Sequence, residues 1–206
     1  VVAREEGSGT RGAFVELMGV VDEDDNDITT LNAEITNSTS VMLTTVAGNP
    51  SAIGYVSLGS LSDDVKAVKV DGAEATAENV KSGEYAVARP FLLAYKDGSL
   101  SDVAQDFLAF IMSADGQKII SDEGYISVEE GEAYTASGLT GKVVLDGSTS
   151  IAPVMEALAD AYKALNPDVT VEIQQTGSGA GITSAIEGVC DFALCGKRKA
   201  DEGRKK

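Results

Sequence analysis

The 206-residue chain has no histidine and no tryptophan, only two cysteines and four prolines, and 5% aromatic residues. Without histidine, neither a Ser-His-Asp nor a Cys-His nucleophilic arrangement can be built, and no imidazole is available to a metal. The two cysteines, Cys190 and Cys195, lie five apart in CDFALC. Strand residues at that spacing point to opposite faces, so the pair reads as two small buried apolar side chains and not as a disulfide. Bases are scarce, with 16 Lys and Arg against 33 Asp and Glu and a net charge of −17. Six of those bases fall in the last eleven residues, so the rest of the chain holds 10 bases and 31 acids. Such a body repels phosphate backbones, which argues against a nucleic-acid partner. It repels small anions too, so attraction for one must come from local groups and not from the global field. No apolar run approaches the roughly 20 residues of a membrane span. No signal peptide or anchor is visible either, as in a mature chain.

Hydrophobic residues make up 43% and charged residues 24% of the chain, ordinary values for a globular protein. VVARE reads as a strand, GSGTRGAFVELMG as a turn and helix, and VDEDDNDIT as an acidic loop. That loop carries Asp22, Asp24 and Asp27 but lacks the central glycine and distal glutamate of a calcium loop, so it is read as solvated, with no metal. STSVMLTTVAG reads as a helix; AIGYVSLG, VKAVKVDG and YAVARPFLLAYK read as strands, the last with Pro90 marking an edge or bulge. TAENVKSG is a short helix with Thr76 as cap and Gly83 as stop. One or two amphipathic helices follow, with Val103, Phe107, Phe110 and Ile111 on one face. After a weakly patterned stretch, KVVLD, the helix from Pro153 to Asn166, VTVEIQQ, GAGITSAIEG and VCDFALCG alternate strand and helix. That alternation predicts an α/β fold with parallel strands.

Three strands end in a glycine-serine turn that opens a helix: Gly7-Ser8-Gly9-Thr10, Gly147-Ser148-Thr149-Ser150 and Gly177-Ser178-Gly179. A helix N-terminus offers unpaired N–H groups and the positive end of the dipole, and glycine lets a ligand approach the backbone. Such ends suit oxyanions. One of these turns is an ordinary cap; three of them, one preceded by Arg4, point to a shared anion site. Gly7–Gly12 also matches G-x-G-x-x-G, but Arg4, Glu5 and Glu6 stand where a dinucleotide loop follows a buried apolar strand, and no glycine turn continues as G-K-[ST]. A nucleotide-dependent enzyme is therefore set aside. Arg89, in ARPF, reads as a structural salt bridge in preference to a residue lining a cleft, and Tyr55 and Tyr125 as core or interface residues.

REEGSGTRGAF, AGNPSAIGYVSLG, VKSGEYAVARPFLLAYK, FLAFIMSADGQKIISDEGYISV, GKVVLDGSTSIAPVMEALADAYKALNP and VTVEIQQTGSGAGITSAIEGVCDFALCGK resemble segments of the phosphate-binding proteins of bacterial phosphate ABC importers. The resemblance covers the chain to about residue 196. It implies a periplasmic-binding-protein-like fold, with two α/β lobes closing on one phosphate and no enzymatic activity or cofactor. The lobes are drawn at 1–61, carrying the Arg-x-x-Gly-Ser-Gly-Thr motif, and 62–206. Carried across residue by residue, the ligand-binding set is Arg4, Ser8, Gly9, Thr10, Thr149, Ser150 and Ser178, with Arg4 the only formal positive charge and Glu6, Ser148 and Gly179 in support. The implied partners are inorganic phosphate and a membrane permease, outside the cytoplasm.

Two departures stand out. The Gly-Ser-Thr-Ser unit opens the family's sequences but comes second here, and a segment of several dozen residues is missing. The chain therefore resembles a circular permutant with a deletion, or a piece spanning two tandem modules, joined at 127–141. After DFAL, a polar pair in the family is replaced by Cys195-Gly196, followed by a basic tail at 197–206 that reads as a solvated charge run. These departures motivate a second expectation, a scaffold that keeps the fold but has lost tight binding, or a homodimer through exposed or swapped elements.

Overall fold

The structure is a computed structural model and describes residues 1–128 and 131–196. The basic tail therefore lies outside the described residues, as do positions 129 and 130 of the join. Two sheets organise the chain. The smaller is a parallel pair, β1 (Val2–Arg4) with β2 (Glu34–Thr36), registered Val2 to Glu34 and Arg4 to Thr36. Each strand feeds a helix, α1 (Gly9–Met18) and α2 (Thr39–Ala47). Ser8 caps α1 by accepting from the Arg11 N–H, and Ser38 caps α2 by accepting from the Val41 N–H.

Between α2 and the second sheet lie a single 3₁₀ turn at Leu58–Ser60 and the short α3 (Ala77–Ser82), with Thr76 as cap and Gly83 in the left-handed conformation that stops it. Two expected strands are absent here. AIGYVSLG touches β1 through one backbone bond, from the Val2 N–H to the Ile53 carbonyl, 2.9 Å. Side-chain contacts add to this: the Tyr55 hydroxyl accepts from the Arg4 N–H, Gly54 lies against Met42 and Gly59 against the Tyr125 ring. VKAVKVDG forms only a bridge between Val70 and Ala73, and Val68 is exposed, so its alternation has no face to bury. The long strand expected over YAVARPFLLAYK shrinks to β3 (Phe91–Ala94). Pro90 has no N–H to donate, and the ladder begins just beyond it.

The larger sheet has the order β3-β6-β4-β5, with β4 at Gly141–Gly147, β5 at Val169–Gln174 and β6 at Phe192–Gly196. β4 runs parallel to both neighbours, and β3 joins antiparallel to β6 at the edge. Helices α4 (Asp102–Met112), α5 (Ala114–Asp122) and α6 (Ala152–Leu165) cover one face. There Phe107, Phe110, Val143, Leu145, Leu158, Tyr162, Phe192 and Leu194 form the main core. The α4 stripe expected from the sequence is buried in full, and Ser113 both ends α4 and caps α5. Val144, alternate to Val143 and Leu145, faces the other side, where α7 (Ser178–Glu187) packs with Ala185, Cys190 and Ala193. Both cysteines are free and buried, as the sequence suggested.

The described residues of 127–140 form no helix or strand. The stretch is nevertheless fastened: one Asp106 carboxylate oxygen accepts from the hydroxyls of Tyr134 (2.6 Å), Tyr162 (2.6 Å) and Ser137 (2.9 Å). Leu158 is fully buried between α6 and the sheet. Leu158→Ala is expected to cost about 2–5 kcal/mol of stability. Urea unfolding followed by circular dichroism checks this, and a loss below about 1 kcal/mol would mean that the core is not packed as described.

Candidate functional site

Parallel pairing places the carboxyl ends of β4 and β5 side by side, with Asp146 opposite Gln174. The turns that follow must therefore meet: the Gly177 N–H donates to the Gly147 carbonyl at 2.8 Å. The end of β6 joins them, as the Ser148 N–H donates to the Leu194 carbonyl at 2.9 Å. This edge, beyond the carboxyl ends of parallel strands, is where open α/β sheets hold ligands. Asp146 is buried beneath it, its two oxygens accepting from Thr176 (2.5 Å) and Ser184 (2.7 Å). Gly147 has φ +139° and a Cβ there would collide with the Leu194 carbonyl, so the turn demands glycine.

The smaller sheet brings Arg4 to the same place. Arg4 is buried at the end of β1, 2% exposed. Its Nη2 donates to Thr149 Oγ1 (2.8 Å) and the Asn37 carbonyl (3.3 Å), and its Nη1 donates to Thr39 Oγ1 (3.1 Å). The Glu5 carboxylate receives it bidentately, from Nε at 2.9 Å and Nη2 at 3.1 Å. The backbone of Arg4 is fixed as well: its N–H donates to the Tyr55 hydroxyl (3.0 Å) and its carbonyl accepts from Arg11 Nη1 (2.8 Å). Arg11 is in turn held by Asp27 (2.6 Å), which gives the acidic loop a structural task. Tyr55 and Tyr125 thus support the site through backbone atoms, the Tyr125 hydroxyl donating to the Ser150 carbonyl at 2.9 Å.

A second cluster lies where α1, α6 and α7 begin. Thr10 Oγ1 and Ser150 Oγ share a hydrogen bond of 2.5 Å, and Thr10 Oγ1 also accepts from Arg89 Nη2 at 2.9 Å. Ser178, 4% exposed, has its hydroxyl buried without a partner. Gly9 faces that hydroxyl so closely that a Cβ would overlap it. The Gly179 N–H donates to the Gly7 carbonyl at 3.2 Å, a backbone link between the two turns. Ser8 uses its oxygen as a cap acceptor, which leaves its hydroxyl hydrogen free to donate.

All seven residues expected to bind are therefore brought into one cluster, and Ser148 and Gly179 lie beneath it. Glu6 does not join: it is exposed, and Glu5 takes the place beside Arg4. The reason is strand geometry, since Glu5 directly follows β1 while Glu6 has already entered the turn. Arg89 is the larger correction. It makes no salt bridge to any described residue; its Nη2 reaches Thr10, its Nη1 is buried without a partner, and its Cζ lies 5.1 Å from the Phe91 ring centroid. Burial pushes its guanidinium down to about 10, opposed by the nearby Cys195 sulfur, so it remains charged at neutral pH. Arg4 is thus not the only cation in the cluster. Thr39 was also missed, although Ser38-Thr39-Ser40 repeats the Ser-Thr-Ser of 148–150 after a strand and before a helix.

The cluster sits on the carboxyl edge of parallel strands, and it gathers helix N-termini from two sheets. These features are those of an α/β protein of the periplasmic-binding class. A family model described as a PBP superfamily domain matches residues 1–115 and 132–204. The chain is 49% identical over 201 residues to a phosphate-binding protein PstS 2 of Streptococcus agalactiae, covering 96% of this chain and 69% of the relative. It superposes on a phosphate ABC transporter phosphate-binding protein from Streptococcus pneumoniae with a TM-score of 0.76 at 44% identity, covering 98% of this chain and 79% of that one. A putative phosphate ABC transporter substrate-binding protein from Clostridium perfringens, solved with bound phosphate, matches at TM-score 0.57 and 44% identity over 62% of this chain and 51% of that one. The chain belongs to the PstS family of phosphate-binding proteins, within the PBP superfamily.

Burial raises the thiols of Cys190 and Cys195 above the ordinary cysteine range. Both are expected to resist an aromatic disulfide reagent at pH 8 and to react only on unfolding. Two fast-reacting thiols in the folded protein would contradict the burial of Cys190 beside α7 and of Cys195 in β6.

Proposed function

We propose that this chain captures inorganic phosphate outside the cytoplasm, without catalysis or cofactor, for delivery to the membrane permease of an ABC importer. The relatives' names and the bound phosphate of the Clostridium perfringens protein support the choice of anion. The observation that carries the reading is the convergence of α1, α2, α6 and α7, N-termini first, on Arg4 and on a buried Ser178 hydroxyl without a partner. Ser8, Gly9, Thr10, Thr149, Ser150 and Ser178 would donate hydroxyls or backbone N–H groups, and Arg4 a guanidinium. Residues 1–61 and 62–206 would move as the two closing bodies, with the Gly7–Gly179 link among the contacts made at closure.

We also infer that the order of motifs is natural to the streptococcal branch of the family. A match running through 96% of this chain in the Streptococcus agalactiae relative supports this, beside the 62% matched in the Clostridium perfringens protein. The chain spans 69% of that streptococcal relative. The reading in which tight binding has been lost has one supporting observation, Cys195-Gly196 in place of the family's polar pair. No finding supports the homodimer.

Isothermal titration with phosphate decides between the readings. Heat saturating at one site is expected, and Arg4→Gln should weaken binding at least about tenfold while the fold persists, since a charged hydrogen bond contributes on the order of 1.5–3 kcal/mol. No heat at millimolar phosphate would sink the binding reading and favour the scaffold.

A further inference from the structure

We infer that Arg89 is a positioning residue of the anion site: it acts through Thr10, directing the Thr10–Ser150 hydroxyl pair so that the pair donates outward to the ligand. The inference rests on the phosphate-site reading above and concerns how that site is held ready. Thr10 Oγ1 has two partners, Ser150 Oγ at 2.5 Å and Arg89 Nη2 at 2.9 Å. A hydroxyl carries one hydrogen and two lone pairs, and a guanidinium only donates. Arg89 therefore occupies one lone pair of Thr10 and keeps the Thr10 hydrogen turned away from itself. The Thr10–Ser150 pair holds two hydrogens. One spans the bond between them, in either direction, and the other has no acceptor among the described residues. That second hydrogen is the one the pair can offer to an anion. Because the first donor in the chain is a cation, it polarises the hydroxyls beyond it and strengthens the last bond.

The surroundings of Arg89 leave it this one polar contact. Antiparallel pairing of Phe91 with Gly196 carries Arg89 over the end of β6, and its Cζ lies 5.1 Å from the Phe91 ring centroid, which supports the guanidinium face. Nη1 lies over Gly196, where a Cβ would coincide with it, and 3.4 Å from the place a Gly9 Cβ would take. Two glycines form that slot and neither brings a side-chain acceptor, which accounts for a buried Nη1 without a partner. Thr10 is thus the single hydrogen-bond partner of the Arg89 side chain among the described residues. Arg4 is different: its guanidinium is shared among Glu5, Thr39, Thr149 and two backbone carbonyls. A charged side chain with one polar contact acts through that contact, and removing the contact should remove its effect.

The test is a double-mutant cycle read by isothermal titration of the full chain with sodium phosphate. Its members are wild type, Arg89→Met, Thr10→Val and the two combined, with Arg89→Lys and Gly196→Ala beside them. Arg89→Met should weaken binding about tenfold, and Arg89→Lys, which keeps a charged donor, should recover most of the loss. Added to Thr10→Val, Arg89→Met should cost less than about threefold more than Thr10→Val alone. Gly196→Ala should weaken binding as Arg89→Met does, because the added methyl displaces the flexible end of Arg89 and leaves the backbone in place. That arm decides the question if Arg89→Met fails to fold. Losses that add in full place Arg89 on the anion itself and overturn the positioning role. Wild-type affinity in Arg89→Met or Gly196→Ala overturns it too, as does equal weakening by Met and Lys. Wild type that binds no phosphate overturns the phosphate-site reading itself.

Discussion

Everything at this site follows from crowding like-signed electrostatic ends into one volume. Four helices aim positive termini at the same few residues, and two guanidiniums join them. Left alone, such an arrangement is repulsive. The fold answers it with the Glu5 carboxylate, which neutralises Arg4, and with hydroxyls that hydrogen-bond one another across the junction, Thr10 with Ser150 and Thr39 with Thr149. The chain carries a net charge of −17, while the donors of this cluster are close together and mostly buried. Local donors at hydrogen-bonding distance and an acidic surface are compatible, because the first act at short range and the second is screened.

The architecture divides the labour. The four-stranded sheet supplies rigidity: its parallel strands end together, so the turns at Gly147 and Gly177 are adjacent by construction. The two-stranded sheet supplies Arg4, fixed by Tyr55, Arg11 and Thr36 around it. Its own core is slight, and much of its order comes from pairs such as Arg11 with Asp27 and the stacked rings of Phe14 and Tyr55, 4.2 Å apart.

Local chemistry made much of this legible from sequence alone. The strand, glycine-serine turn and helix start recur at three places, which points to a shared anion site, and the resemblance to phosphate-binding proteins implies the seven particular residues. The helix stripe of α4 and the caps at Thr76 and Ser8 were equally local. What escaped depended on partners far along the chain. Alternation in VKAVKVDG looked like a strand, but a strand exists only if a neighbour takes its hydrogen bonds, and here one bridge does. Arg89 reads as half of a structural salt bridge until antiparallel pairing sets it against Gly196, more than a hundred residues away. Thr39 was within reach, since NSTS repeats GSTS in all but its first residue.

The bond from the Gly179 N–H to the Gly7 carbonyl has an evolutionary corollary. Both of its ends are main-chain atoms, and both residues lack side chains. The seam at that point is written in the peptide backbone, so substitutions elsewhere on either surface leave its contact intact. Sequence drift on the two surfaces can therefore proceed without removing an atom of this contact.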